Sequence, residues 1–283
     1  MTILCIGRAT FDLGYVCPSY PVEDGKLSAV RFWAGAGGSA LNGAVTARAL
    51  GSEVRLFALL GAGSFADAVR AELAGFDVAW RDLADPDAQV LPVSSIIVVP
   101  GAGTRTIVDQ QPAQTATLAA PDLSCLDGVD VVYCDGFLPE VAVPLAKAAR
   151  ERGIRVVLDG GSWKPWTGQI IAHVDHAIVS ERFRPPGQGE GEILSCVHAL
   201  GPSVAAITRG PGPLEWSTPE QRGTITPPHI DAVDTLGAGD IFHGAYCHYL
   251  AAGESVPDAL TQAAEVAAQS CRYDGTRAWI DAR

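Results

Sequence analysis

The run Asp234-Thr235-Leu236-Gly237-Ala238-Gly239-Asp240 sets a carboxylate behind a turn of small residues, ahead of Phe242, Ala245, Tyr246, Tyr249 and Leu250 at helical spacing. The first N–H groups of such a helix lack intrahelical partners, and with the helix dipole they form a cradle for an anion. Glycine lets that anion come close to the backbone. Asp240, in the first helical turn, would face a hydroxyl attacking a phosphoryl group held in the cradle and could accept its proton. Phosphoryl transfer asks mainly for positioning and charge neutralisation, so one base, an anion hole and a divalent metal are a sufficient set of parts. The plain alternative is a first-turn acid that serves only the helix dipole.

Other residues of chemical interest lie far away in sequence. Asp12 follows the first apolar run, and Ala36-Gly37-Gly38-Ser39-Ala40-Leu41-Asn42 offers an amide behind a glycine pair. An acid and an amide are good bidentate partners for hydroxyls, although each residue taken alone would equally suit a turn or a helix surface. Arg105, in Gly103-Thr104-Arg105-Thr106-Ile107-Val108, has a planar fork suited to a phosphate or another anionic group. Its alternative is an edge-strand charge that discourages aggregation. Gly61-Ala62-Gly63-Ser64-Phe65-Ala66 fits a relaxed dinucleotide fingerprint and so raises an NAD-dependent dehydrogenase. It lies at the second strand, however, and its acidic partner could only be Asp82 or Asp85 in what reads as a polar loop. Asp240, His243 and Cys247 share a helical face that could bind a transition metal, but no second cluster completes the set. The chain contains no Gly-Lys-Ser/Thr, which excludes a Walker-type site.

The elements that must position these residues alternate along the chain. Strands are expected over 3–7, 54–60, 131–134, 155–158, 176–179 and 204–208, and helices over 39–50, 65–73, 141–152, 191–200, 239–252 and 256–272. That order predicts a mainly parallel sheet of roughly eight strands between helices. Segments 15–33 and 91–110 break the alternation and read as antiparallel hairpins, the second turning at Pro100-Gly101-Ala102-Gly103; together they suggest a small β lid. With 283 residues, 48% of them hydrophobic, the chain can bury a sizeable core. No linker or repeat marks a second unit, so a single domain over 1–283 is expected. Seven scattered cysteines without a Cys-x-x-Cys pair argue against a disulfide framework or structural zinc. A net charge of −12, with lysine only at 26, 147 and 164, disfavours nucleic acid and anionic membranes as partners. No leader or spanning stretch is visible, which gives the expectation of a cytoplasmic protein.

Set on these elements, segment 234–240 resembles the C-terminal signature of the PfkB or ribokinase family of carbohydrate kinases. Segment 36–42 resembles the family's N-terminal glycine motif, Asp12 stands where the family has a sugar-binding acid, and Ile207-Thr208-Arg209-Gly210-Pro211-Gly212 resembles its nucleotide-site turn. The order and spacing agree over nearly the whole chain. The resemblance implies a ribokinase-like α/β fold and ATP-dependent phosphorylation of a sugar hydroxyl with Mg²⁺, and it leaves open a monovalent cation. It implies Asp240 as base and Gly237, Ala238 and Gly239 as anion hole. Asp12, Gly37, Gly38 and Asn42 would hold sugar hydroxyls, with Arg105 at the mouth of the site. Thr208, Gly210, Gly212 and Thr235 would line the nucleotide. Where many members carry Asn-x-x-Glu, this chain has Ser180-Glu181-Arg182-Phe183, so Glu181 carries over as a metal contact through water only. Val157-Leu158-Asp159-Gly160-Gly161, Asp240-Ile241-Phe242-His243-Gly244-Ala245 and Cys271-Arg272-Tyr273-Asp274-Gly275-Thr276-Arg277-Ala278 are similar to ketohexokinase-like and sulfofructose-kinase-like members, implying a ketose-type acceptor. A nucleoside kinase of the same family and a non-catalytic sugar or nucleotide binder are the other readings. Exposed lid edges suggest a homodimer through the lid.

Overall fold

The computed structural model describes residues 1–99, 104–110, 118, 121–187 and 193–283. In chain order the strands are β1 (Thr2–Ile6), β2 (Thr10–Val16), β3 (Arg31–Gly37), β4 (Glu53–Ala58), β5 (Ala79–Asp82), β6 (Val93–Val99), β7 (Thr104–Asp109), β8 (Val131–Cys134), β9 (Arg155–Gly160), β10 (His176–Ser180), β11 (Val204–Arg209), β12 (Gly212–Ser217) and β13 (Arg222–Ile225). The helices are α1 (Ser39–Ala49), α2 (Ser64–Gly75), α3 (Pro139–Glu151), α4 (Thr167–Ile171), α5 (Ile193–Ala199), α6 (Ala238–Ala251) and α7 (Val256–Ser270). A nine-stranded sheet runs in the order β13-β12-β11-β10-β9-β8-β1-β4-β5, parallel from β11 to β5 and closed at the other edge by antiparallel β12 and β13.

Alternation along the central strands explains why they read as continuous apolar runs. Ile3 and Cys5 of β1 enter one core with residues of α1, α2, α6 and α7, while Leu4 and Ile6 enter another with residues of α3, α4 and α5. Strands covered on both faces have no polar side to show. The largely exposed edge strand β5, Ala79-Trp80-Arg81-Asp82, and the short outer pair β12–β13 lack that signal. They bring the sheet to nine strands where roughly eight are expected.

A four-stranded sheet, β3-β2-β6-β7, stands apart from the large one. The hairpin expected over 91–110 is β6 against β7, antiparallel from Ser94↔Asp109 to Val99↔Thr104; its turn at 100–103 lies outside the described residues. The hairpin expected over 15–33 is displaced. Its strands occupy 10–16 and 31–37, with non-strand backbone between them, and β2 also pairs in parallel with β6. Asp12 therefore lies inside a lid strand. The helix expected over 191–200 spans Ile193–Ala199, with 191 and 192 outside the described residues. Among the described residues no disulfide joins the seven cysteines, and no helix is long and apolar enough to cross a membrane.

Candidate active site

In the large sheet β1 and β8 are neighbours, yet the chain leaves β1 toward β4 on one side and β8 toward β9 on the other. Such a switch of direction opens a crevice at the carboxyl ends of parallel strands. Asp135, directly after β8, is 2% exposed and ties this crevice together. Its carboxylate accepts from Arg8 N at 2.7 Å, Ser39 Oγ at 2.7 Å, Ala40 N at 3.1 Å and Phe137 N at 3.0 Å. Burial raises its pKa, and these bonds together with Lys164 oppose the rise. The side chain thus caps α1 from another strand. Gly38, at φ 98°, begins that helix; a Cβ there would stand 2.6 Å from the Arg8 carbonyl oxygen.

Helices α1 and α6 cross at two glycines. A Cβ on Gly244 would lie 2.3 Å from Gly43 O, so the backbones approach more closely than any larger residue would permit. Asn42 directly precedes Gly43 and Asp240 stands one turn before Gly244, and Asn42 Nδ2 donates to Asp240 Oδ2 at 2.7 Å. Asn42 Oδ1 is buried and has no hydrogen-bond partner among the described residues. Gly237, at φ 68°, turns the chain into α6. The N–H groups of Gly237, Gly239 and Asp240 make no hydrogen bond among the described residues, while Ala238 N turns back on Thr235 O at a long 3.3 Å. A Cβ on Gly239 would meet nothing within 4 Å among the described residues. Asp240 is half-buried, and its carboxyl is pushed up to about 7 by desolvation and then by the Asp159 charge, with Asn42 and His243 opposing.

Beneath Asp240, His243 Nδ1 lies 2.7 Å from Gly239 O and 3.5 Å from Asp159 Oδ2, and Nε2 lies 3.1 Å from Ile178 O. Tyr133 Oη donates to Asp159 Oδ2 at 3.2 Å. His243 thereby fastens α6 to β10. The metal-binding face considered for Asp240, His243 and Cys247 is not formed; no cluster of metal ligands occurs among the described residues.

The lid adds residues from above. Asp12 Oδ1 accepts from Thr10 Oγ1 at 2.7 Å, and a Cβ on Gly37 would fall 2.0 Å from Asp12 Oδ2. Burial raises the pKa of Asp12, with Thr10, Ser94, Arg277 and Arg8 opposing. Arg277 donates from Nε to Glu72 Oε1 at 3.0 Å and from Nη2 to Ala36 O at 3.2 Å. Arg105 of β7 reaches Thr235 Oγ1 at 2.9 Å, and Arg31 of β3 forms an ion pair with Asp274. The structure therefore gathers Asp12, Gly37, Gly38, Asn42, Arg105, Thr235, Gly237, Ala238, Gly239 and Asp240 around one space.

Thr208, Gly210, Gly212 and Glu181 form a second group, at the carboxyl ends of β10 and β11. Glu181 N donates to Thr208 O at 3.0 Å, and Gly210, at φ 56° with open space at its Cβ position, makes the tight turn into β12. The Glu181 side chain is exposed. The rival fingerprint at Gly61 is a structural turn. Asp82 ends β5 rather than lying in a loop, and its carboxylate is taken by Leu60 N at 3.0 Å, Gly61 N at 3.0 Å and Arg70 Nη2 at 2.6 Å.

Several participants escape sequence reasoning. Asp135 and Asp159 each follow an apolar run and precede glycine, a pattern that any strand-end turn also shows. Knowing the strand order would have singled out Asp135, because it places β8 beside β1. Arg8, Lys164 and Arg277 carry no local signal.

A ribokinase-like α/β fold with a crevice at its switch point, a carboxylate beside free helix-terminal N–H groups and a β lid define a small-molecule phosphotransferase architecture. The description "pfkB family carbohydrate kinase" matches residues 2–283, and the chain belongs to that family, whose members are phosphotransferases with an alcohol group as acceptor. It is 26% identical to the ribokinase of Bacillus subtilis over 291 residues, covering 99% of this chain and 96% of that protein. It is 26% identical to the ketohexokinase of Mus musculus over 309 residues, covering 96% and 97%. The structure of Arabidopsis thaliana ribokinase complexed with ribose and ATP superposes with a TM-score of 0.78 at 19% identity, covering 97% of this chain and 93% of that one.

Proposed function

We propose that this protein transfers the γ-phosphoryl group of ATP to a hydroxyl of a carbohydrate, with a ketose-type acceptor. The observation that carries the reading is the pairing of Asp240 with Asn42 beside the free N–H groups of Gly237 and Gly239. Asp240 takes the proton of the attacking hydroxyl. The free N–H groups of Gly237 and Gly239, joined by that of Ala238 once it leaves its long bond to Thr235 O, receive the negative charge of the transferring group. Asp12, Gly37, Gly38 and Asn42 orient the acceptor; the orphaned Asn42 Oδ1 is an acceptor waiting for a hydroxyl. Arg105 closes the lid against Thr235, and Thr208, Gly210 and Gly212 line the nucleotide.

Mg²⁺ fits this donor set only as an ion brought by the nucleotide. The exposed Glu181 carboxylate offers a hard oxygen through water, as suits an ion that keeps its own hydration. Bound there, the ion would neutralise phosphate charge. A monovalent cation belongs to the same reading. So do a cytoplasmic enzyme of one domain and a homodimer through the lid, whose segments expose Val30, Phe32, Ile107 and Val108; a monomeric mass in solution would exclude the dimer.

The test is ADP release with Mg²⁺-ATP over ketoses, aldoses and nucleosides, with ³¹P detection of the product. ADP and a sugar phosphate appearing together, with highest kcat/KM on a ketose, is the expected result. Preference for a nucleoside would replace the acceptor, and NAD(H) turnover without ADP would replace the reaction.

A further inference from the structure

The residues around Phe137 are not used by the reading above. Phe137 follows Asp135 in the loop after β8, and two cations stand at its ring: Arg8 Cζ is 5.1 Å and Lys164 Nζ 4.3 Å from the centroid. The two positive groups are therefore less than about 10 Å apart, inside one screening length. Arg8 forms an ion pair with Asp109 of β7, but its Nε is buried without a hydrogen-bond partner among the described residues. Lys164 Nζ makes no hydrogen bond or ion pair among the described residues; it lies over the ring and close to Gly136, where a Cβ would stand 3.4 Å from it. Asp135, on whose carboxyl the Lys164 charge acts, has both oxygens committed to Arg8 N, Ser39, Ala40 and Phe137 N. In a chain with three lysines and a net charge of −12, two cations at one ring, of which only Arg8 has a carboxylate partner among the described residues, are a local exception.

Its place ties it to the acceptor rather than to the nucleotide. The Arg8 backbone lies under Gly38, its guanidinium reaches Asp109, and Asp109 accepts from Ser94 Oγ at 3.3 Å. Ser94 is paired with Asp12 across the lid strands, and Arg8 acts on the Asp12 charge. We propose that the acceptor carries an anionic group, a carboxylate or a phosphate, held between Arg8 and Lys164 beside the Phe137 ring. A guanidinium with an unused N–H and an ammonium on a four-carbon stem can share such a group, one by directed hydrogen bonds and the other as a point charge. This inference rests on the sugar-kinase reading and narrows its substrate class.

The experiment compares matched acceptors, D-gluconate with D-glucose and D-fructose 1-phosphate with D-fructose, by ADP release and by calorimetric binding, in the wild type and in Lys164→Met. Methionine keeps the length of the side chain over Phe137 without its charge. The expected result is kcat/KM at least ~10-fold higher for the anionic member of a pair, and a ratio that falls toward one in Lys164→Met through KM for the anionic sugar. Turnover of the neutral members as good as that of the anionic ones would overturn the subsite and leave the kinase reading standing. Binding of an anionic sugar that depends on Lys164, with no ADP from any acceptor, would support the subsite and overturn the kinase reading. Binding or turnover of anionic sugars unchanged in Lys164→Met, or no binding of any of them, would also overturn it.

Discussion

Replacing Asp240 by asparagine removes a charge that the fold is poorly disposed to hold. The carboxyl is moved from 3.8 to about 7, chiefly by desolvation and the Asp159 charge. Each unit is worth about 1.4 kcal/mol, so ionising Asp240 in the folded protein costs up to roughly 4 kcal/mol more than in the unfolded chain. The sign follows from proton counting. Between about pH 4 and 7 the folded state holds a proton that the unfolded state has lost, so this group lowers stability as pH rises through that window. Asparagine preserves the shape, and its amide oxygen still accepts from Asn42 Nδ2. Asp240→Asn should therefore match the wild type near pH 4 and exceed it above pH 7, by at least ~4 °C in Tm at roughly 2 °C per kcal/mol for a chain of this size. Thermal unfolding without ligands, at pH 4.5 and 8 and constant ionic strength (both values set by roughly this window), gives the comparison. A variant less stable than the wild type at the higher pH, or a difference that does not change with pH, would refute the electrostatic account of the site.

Two further expectations come from the same geometry. Gly244→Ala would drive a methyl group to 2.3 Å from Gly43 O, so α1 and α6 must separate. Overpacking of this kind costs about 1–3 kcal/mol, and displacing Asn42 from Asp240 by roughly 1 Å should lower kcat/KM by ~10²-fold, read by denaturant unfolding and steady-state kinetics. The kcat/KM of the wild type should rise about tenfold per pH unit below about 7 and level off above it, because Asp240 must be ionised to accept a proton; a profile flat from pH 5.5 to 8, a range spanning roughly one unit either side of that value, would remove Asp240 from the role of base.

How much of this was legible in the sequence depends on whether the signal was local. Strands buried on both faces announced themselves as apolar runs, and the small-residue turn before Asp240 announced a helix terminus with free N–H groups. Edge strands did not, because β5 and β13 carry no uninterrupted apolar run. The lid was misplaced at 15–33 for a related reason: Thr10–Val16 mixes a buried aspartate and a glycine into its strand, which hides the alternation. Asp12 was found, but inside a strand rather than after one. The glycine crossing of α1 and α6 and the capping of α1 by Asp135 are long-range contacts that no window of sequence contains. Asp240 was legible as an acid beside an anion cradle; its raised pKa was not, since Asp159 and Asn42 come from other elements.

The most direct measurement is turnover by Asp240→Asn. With the best acceptor and Mg²⁺-ATP, ADP release should fall by at least ~10²-fold in kcat while calorimetry shows ATP still bound. Near-normal kcat in a folded variant would contradict the assignment of Asp240 as the base.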